Sequence, residues 1–286
     1  MIETMYKKIA PEIQLHEEAL GQTPGRQRMR GRRVLVVGAG QRPGPDLDIV
    51  GNGRAISLLM AREGASVVCA DMSLESAQAT ADMIVASSGT AIAVEANVES
   101  PQEIQRMFDQ ASKALGGLDG LVVNVGIIQG TPMEKLTAEI WDREYRVNVR
   151  GPMLCCQTAL DLMQPGSSAV MISSLASIRS SSRSPAYESS KAALNVLARC
   201  MAMSGEPKGI RCNAVAPGVI DTPLGRSEMQ RNPNRSRNYP FGRQGTAWEV
   251  AYATLFSLSN ESSYVNGHVL LVDGGLVAGI MRPSNS

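Results

Sequence analysis

Tyr187 and Lys191, in the run Ser184-Pro185-Ala186-Tyr187-Glu188-Ser189-Ser190-Lys191, have the types and the spacing of an acid/base device. Four residues apart on a helix, their side chains share one face and reach a common ligand. A free phenol titrates at about 10, too high for efficient proton exchange at neutral pH. An ammonium about 4 Å away, at an effective dielectric of about 20, favours the phenolate by up to about 4 kcal/mol. The expectation is a tyrosine brought toward working range by its lysine. The same spacing also occurs as a solvated helix edge, so the chemistry depends on what surrounds the pair.

The chain around it is an ordinary globular one of 286 residues, 43% apolar and 19% charged, with a formal net charge of +1. That balance speaks against a nucleic-acid partner or a polybasic membrane anchor. Five cysteines without a C-x-x-C pattern (Cys69, Cys155, Cys156, Cys200, Cys212) read as reduced core thiols. Only His16 and His268 are available to a Ser-His-Asp triad or a histidine metal site, and His268 precedes an apolar strand run, so no metal centre is expected. The start lacks a secretory pattern and no apolar stretch approaches the roughly 20 residues of a membrane span. A cytoplasmic protein without a membrane partner is expected.

Residues 1–32 are polar and read as an extension with a short helix near 10–20. From 33 onward short apolar runs at 33–37, 66–70, 90–94, 120–123, 168–173, 210–214 and 268–272 alternate with helical patterns near 53–63, 74–87, 101–115, 138–163, 187–204 and 247–258. Continuous apolar strands separated by helices predict a single α/β domain, a doubly wound Rossmann-type parallel sheet with helices on both faces. Ligands of such sheets sit beyond the carboxyl ends of the strands, near the reversal in strand order.

Gly38-Ala39-Gly40 follows the first strand and Gly51-Asn52-Gly53 opens the first helix. Glycines there permit a tight turn, close approach of the backbone to a pyrophosphate, and exposure of helix amides to its charge. Asp71 ends the next strand, eighteen residues after Gly53, where a carboxylate accepts from the adenosine ribose and repels a 2′-phosphate. Met72 brings no compensating cation, so NAD is expected rather than NADP. Arg42 and Arg54 are the cations that would argue for a phosphate.

Taken in order, these motifs resemble the short-chain dehydrogenase/reductase family, in its compact single-domain branch, over residues 33–279. The glycine motif matches Gly38, Gly51 and Gly53, and the adenine-contacting step is Asn97-Val98. The usual Asn-Asn-Ala-Gly is here Val123-Asn124-Val125-Gly126, which keeps Asn124 and Gly126 under the cofactor. Val147-Asn148-Val149-Arg150-Gly151 is similar to the segment with the catalytic asparagine, and Ser174 stands thirteen residues before Tyr187 as the family has it. Pro217-Gly218-Val219-Ile220-Asp221-Thr222 is similar to the motif over the nicotinamide, with Thr222 at its carboxamide. The segment 265–275 resembles the last strand and its exit, and 280–286 form a tail. One departure is the run 41–50, about nine residues longer than the family's loop and rising beside the pyrophosphate: weaker cofactor binding, a flap over the phosphates and surface decoration are the readings, the last preferred.

The resemblance implies hydride transfer between NAD(H) and a secondary alcohol or ketone. Tyr187 would be the acid/base, Ser174 the group orienting the oxygen, Lys191 a ligand of the nicotinamide ribose and Asn148 the holder of a relay water. An NADP-dependent reductase of 3-oxoacyl thioesters is the alternative within the enzyme class. A non-catalytic NAD sensor or scaffold is the alternative outside it, to be marked by a damaged tetrad. The expected substrate lid, 222–245, is basic, with Arg226, Arg231, Arg235, Arg237 and Arg243 against Glu228, and Arg179 and Arg183 lie between Ser174 and Tyr187. An anionic substrate clamped by these arginines is one reading, and a solvated mobile lid is preferred. By resemblance, helices 138–163 and 187–204 pair subunits into a homotetramer or homodimer.

Overall fold

Runs of valine, leucine and alanine with no polar alternation form strands covered on both faces. The computed structural model describes residues 11–41, 49–226 and 239–280. Residues 1–10, the excursion residues 42–48 with Arg42, the lid residues 227–238 with Glu228, Arg231, Arg235 and Arg237, and the tail 281–286 lie outside the described residues.

The strands β1 (Arg33–Val37), β2 (Ser66–Asp71), β3 (Thr90–Glu95), β4 (Gly120–Val123), β5 (Ser168–Ile172) and β6 (Arg211–Pro217) are followed by a short parallel pair, β7 (Ile220–Asp221) and β8 (Gly245–Thr246), and by β9 (Val269–Val272). The main sheet has seven strands in the order β3-β2-β1-β4-β5-β6-β9, every neighbouring pair parallel. Strand order reverses between β1 and β4, which opens the ligand crevice at their carboxyl ends.

Among the described residues seven complete α-helices accompany the sheet: α1 (Asn52–Arg62), α2 (Leu74–Ala86), α3 (Pro101–Leu115), α4 (Ala138–Tyr145), α5 (Gly151–Leu162), α6 (Pro185–Gly205) and α7 (Ala247–Leu258). The two-residue period of a strand sends alternate side chains to opposite layers. Leu35 and Val37 join Phe108 of α3, Cys155 of α5 and Met201 of α6, whereas Val34 and Val36 join Ile56 of α1, Ile84 of α2 and Leu255 of α7. Each such buried side chain contributes about 1.5–3 kcal/mol against exposure, so a one-residue slip of β1 would forfeit both layers.

Two expectations are corrected. The helix expected over 138–163 is broken: α4 ends at Tyr145, a π turn spans Arg146–Arg150, and α5 starts at Gly151 with Pro152 in its first turn. The extension carries a 3-10 turn at Pro11–Gln14 instead of a helix, and its second half is docked. Met29 is buried in the core of α1 and α7, and the buried Glu63 carboxylate accepts from Arg28 and from the backbone N–H groups of Arg26 and Arg28. Four cysteines are buried and Cys200 is exposed, all as free thiols. Burial pushes the Cys69, Cys155 and Cys212 thiols up to about 12. No helix among the described residues is long and apolar enough to cross a membrane.

Candidate active site

α6 begins at Pro185, whose fixed φ and missing N–H suit a first helical position, so Tyr187 lies in the first turn and Lys191 one turn deeper. Lys191 is 4% exposed, and its Nζ donates to the carbonyl of Ile172, the last residue of β5, at 3.0 Å. Ser174 leaves the same strand as the cap of the 3-10 turn Leu175–Ser177, its Oγ accepting the Ala176 N–H at 3.1 Å. Ser173 points the other way and donates to the Lys191 carbonyl at 2.9 Å, which fastens α6 to the strand that carries Ser174.

The electrostatics differ from the expectation that Lys191 lowers the phenol. Burial raises Tyr187 above its ordinary value, the neighbouring Ser174 hydroxyl opposes this, and the negative charge of Glu144 adds to it. Burial also lowers Lys191 to about 8. The ammonium lies 5.8 Å from the phenol ring centroid and is turned to the Ile172 carbonyl. Loss of water disfavours both charged forms, and this outweighs the attraction that spacing alone suggested. At neutral pH the phenol is therefore protonated and is a donor.

The π turn carries Asn148. A π turn inserts one residue into the helical phase and re-aims the side chains that follow. Asn148 is wholly buried: its Oδ1 accepts the Ile127 N–H at 2.8 Å, and its Nδ2 donates to the Ile127 carbonyl at 2.9 Å and to Ser190 Oγ at 3.0 Å. The chain leaving β4 is thus clamped at both backbone groups of one residue, and the clamp is tied to α6 one position before Lys191.

At the other end of the crevice the glycine turn is sterically obligatory. A Cβ on Gly53 would fall 1.9 Å from the Gly38 carbonyl oxygen, and Gly38 has φ +85°. Asn124 Nδ2 donates to that same carbonyl at 2.8 Å. Asp71 accepts the Gly40 N–H at 3.0 Å and the Ser73 N–H at 3.2 Å, which ties the end of β2 to the turn. Arg54 Nε donates to Thr80 Oγ1 at 3.0 Å, and Arg54, a candidate to reach a phosphate, does not line the cavity that runs from this turn to Tyr187.

Gln41, which sequence reasoning left inside the decoration, is a structural clasp. Its Oε1 accepts the Gly51 N–H at 2.9 Å, and its Nε2 donates to the Ile49 carbonyl at 2.7 Å. Ser76 of α2 holds its backbone on both sides. Its only trace in the sequence is an amide side chain directly after Gly40.

A cavity of about 430 Å³ connects these parts, from Gly40, Gly51, Asn52 and Gly53 past Asn124 and Gly126 to Ser174, Tyr187 and Lys191, and on to Pro217, Gly218, Ile220 and Thr222. A Cβ on Gly126 would lie 3.0 Å from Lys191 Nζ, so glycine makes room for the ammonium. Thr222 Oγ1 accepts the Gly225 N–H at 3.1 Å. Gly38, Asp71, Met72, Asn97, Val98 and Asn148 do not line the cavity. Asn97 Oδ1 is engaged by the Glu99 N–H, Val98 packs over Gly151, and Met72 is 69% exposed at the carboxyl end of β2. Arg179 and Arg183 line the cavity, whereas Arg226 pairs with Asp221 and Arg243 with Glu249.

Comparison with known proteins is decisive for the lineage. The family model described as Enoyl-(Acyl carrier protein) reductase matches residues 50–277. The chain belongs to the short-chain dehydrogenase/reductase family. This dehydrogenase/reductase is 34% identical over 257 residues to the 3-oxoacyl-[acyl-carrier-protein] reductase FabG of Thermotoga maritima, covering 87% of this chain and 99% of that protein. It is 31% identical over 255 residues to 3beta-hydroxysteroid dehydrogenase 1 of Eggerthella lenta, covering 87% and 94%. Among solved structures, a putative short-chain dehydrogenase/reductase from Burkholderia xenovorans superposes with a TM-score of 0.81 at 31% identity, covering 88% of this chain and 98% of that one. Family members bind a nicotinamide cofactor. The residues here fit one: the glycine turn leaves no room for a side chain at Gly53, and the adjoining cavity runs from it to Tyr187.

Proposed function

We propose that the protein interconverts a ketone and a secondary alcohol with NAD(H), Tyr187 giving the proton in the reducing direction. The observation that carries this reading is the Ser174, Tyr187 and Lys191 constellation opening onto one cavity with the glycine turn. A bound nicotinamide supplies or takes up the hydride. Ser174 and Tyr187 hydrogen-bond the carbonyl oxygen, hold it for attack at carbon and stabilise the charge it gains. The Tyr187 O–H then gives its proton to that oxygen and the alcohol is complete. Lys191, held on the Ile172 carbonyl, is placed to meet a ribose and to reprotonate the phenol, and Asn148 fixes the wall behind it.

Asp71 supports NAD, since its carboxylate at the end of β2, beside the glycine turn, repels a 2′-phosphate. An NADP-dependent reduction of 3-oxoacyl thioesters is the second reading, supported by relatives named 3-oxoacyl-[acyl-carrier-protein] reductase. The hydroxysteroid relative at comparable identity supports keeping the substrate class wider. The exposed Met153, Val196 and Met203 on α5 and α6 support the expected homotetramer or homodimer.

The test is a panel of ketones and alcohols read by NADH and NADPH absorbance. Tyr187→Phe is expected to lose 10²-fold or more in kcat, on the order of a general acid's contribution, with cofactor affinity kept. Native preference for NADPH would overturn the cofactor choice, and wild-type turnover by Tyr187→Phe would overturn the acid.

A further inference from the structure

Two arginines of the cavity have no part in the scheme above. Arg179 and Arg183, in the loop between Ser174 and Tyr187, both line it and both are exposed. Arg179 gives one N–H to the Leu276 carbonyl at 3.2 Å. Arg183 has no ion pair or hydrogen bond among the described residues. A guanidinium presents several N–H donors in a planar fork that matches a carboxylate or a phosphate, and here most of them are unused.

The loop that carries them is fastened to α6. The Ser174 carbonyl accepts the Ser177 N–H at 3.0 Å, and Asn195 of α6 donates to Ser177 Oγ at 2.9 Å. Farther on, the Glu188 carboxylate accepts the Ser181 N–H at 3.1 Å, the Ser181 hydroxyl at 2.6 Å and the Ser180 hydroxyl. Ser182 turns the chain with φ +61°, and Arg183 follows directly. Both arginines are thus set on a frame held by the helix of Tyr187 and Lys191. Arg226 and Arg243 differ: they pair with Asp221 and Glu249, and neither lines this cavity.

Charge in the cavity is one-sided. Its described lining holds the cations Arg179, Arg183 and Lys191 against one carboxylate, Glu188. Lys191 is turned to the Ile172 carbonyl, and Glu188 is turned to Ser180 and Ser181, so neither arginine is neutralised. The wall also includes apolar Leu175 and Ala176, directly after Ser174, together with Ile127 and Ile128. A solvated edge would leave its cations on the outer surface, whereas these two face a space that holds the reacting groups. A molecule that complements that space has an apolar body and an anionic end.

We propose that the substrate is anionic: a ketone or alcohol on an apolar stem, whose carboxylate or phosphate is held by Arg183 and Arg179. This names the substrate class of the hydride transfer proposed above and rests on that reading. The anion is the substrate's own carboxylate or the phosphate of a carrier arm, since one fork recognises both.

The test has a binding arm and a turnover arm. Ligand-observed NMR on the NAD-loaded protein compares hexanoate with hexanamide, and 4′-phosphopantetheine with pantetheine, in wild type, Arg183→Gln, Arg179→Gln and Arg106→Gln. Wild type is expected to hold at least one of the two anions above its neutral partner. Each of the two cavity variants is expected to lose about tenfold or more of that affinity, while Arg106→Gln, on α3 and outside the cavity lining, keeps it. Hexanoate binding assigns the anion to the substrate itself, and phosphopantetheine binding alone assigns it to a carrier. Turnover with NADH then follows the anion that binds: 3-oxohexanoate against its methyl ester, or the 3-oxohexanoyl thioester of phosphopantetheine against that of pantetheine. The anionic member is expected to have the higher kcat/KM, and Arg183→Gln to remove the preference through KM while KM for NADH stays near wild type. Equal binding of charged and neutral partners, binding of neither anion, or an anion affinity untouched in both cavity variants overturns the proposal. Arginine-dependent anion binding without turnover of any ketone is the separate failure, that of the hydride-transfer reading.

Discussion

Burial strips water from Tyr187 and Lys191 together, and the two respond in opposite directions, the phenol upward and the ammonium downward. Lysine makes the consequence measurable as stability. Its folded value of about 8 lies below the ordinary 10.5, so between those values the unfolded chain binds the extra proton and stability rises with pH. The contribution is complete above 10.5 and is lost as pH falls through about 8, a span worth roughly 3 kcal/mol. Lys191→Met, which has no such proton, is therefore expected to exceed wild type most below pH 8, and the gap should close toward pH 10.5 in urea denaturation. The pairing of Tyr187 with Lys191 was legible in the sequence because a four-residue step fixes a shared face. Their solvation was not, because spacing says nothing of how much water the surrounding elements leave.

At the scale of elements, the break between α4 and α5 does most to shape the site. The apolar pattern runs through 138–163 without interruption, so a one-residue insertion of phase leaves almost no mark in the sequence. Pro152 is the trace, since it has no N–H to give to the carbonyl of Asn148 four residues earlier. The strands were more legible. β1 and β4 have the expected limits, whereas β6 runs on to Pro217 and the β7–β8 pair is too short for a period to show. Removing the Asn148 clamp tests the π turn. Asn148→Ala leaves the Ile127 N–H and carbonyl without their partners and is expected to cost about 2–4 kcal/mol, read by urea denaturation, together with a kcat loss larger than the change in KM.

At the scale of the whole molecule, the layers of the sheet are closed but α5 and α6 still show apolar surface. Met203 is 77% exposed and Val196 55%. Light scattering after gel filtration is expected to give a dimer or tetramer, and Met203→Glu to shift it toward monomer. A wild-type monomer at micromolar concentration would count against the expected assembly. The docking of residues 11–32 was not legible, because a polar stretch that covers Glu63 with its own backbone N–H groups carries no apolar period.

The Gln41 clasp has a consequence for how this chain tolerates change. Its amide joins Ile49 and Gly51 into a neck, while Ser76 grips its main chain from α2. The clasp is made by Gln41, Ile49 and Gly51 alone, and doubling the length of a loop costs only about 0.6 kcal/mol in closure entropy. The neck is thus a grafting port: a peptide tag or a foreign epitope can be inserted between Gln41 and Ile49 with the amide still bridging them, so that Gly51 and the glycine turn keep their place.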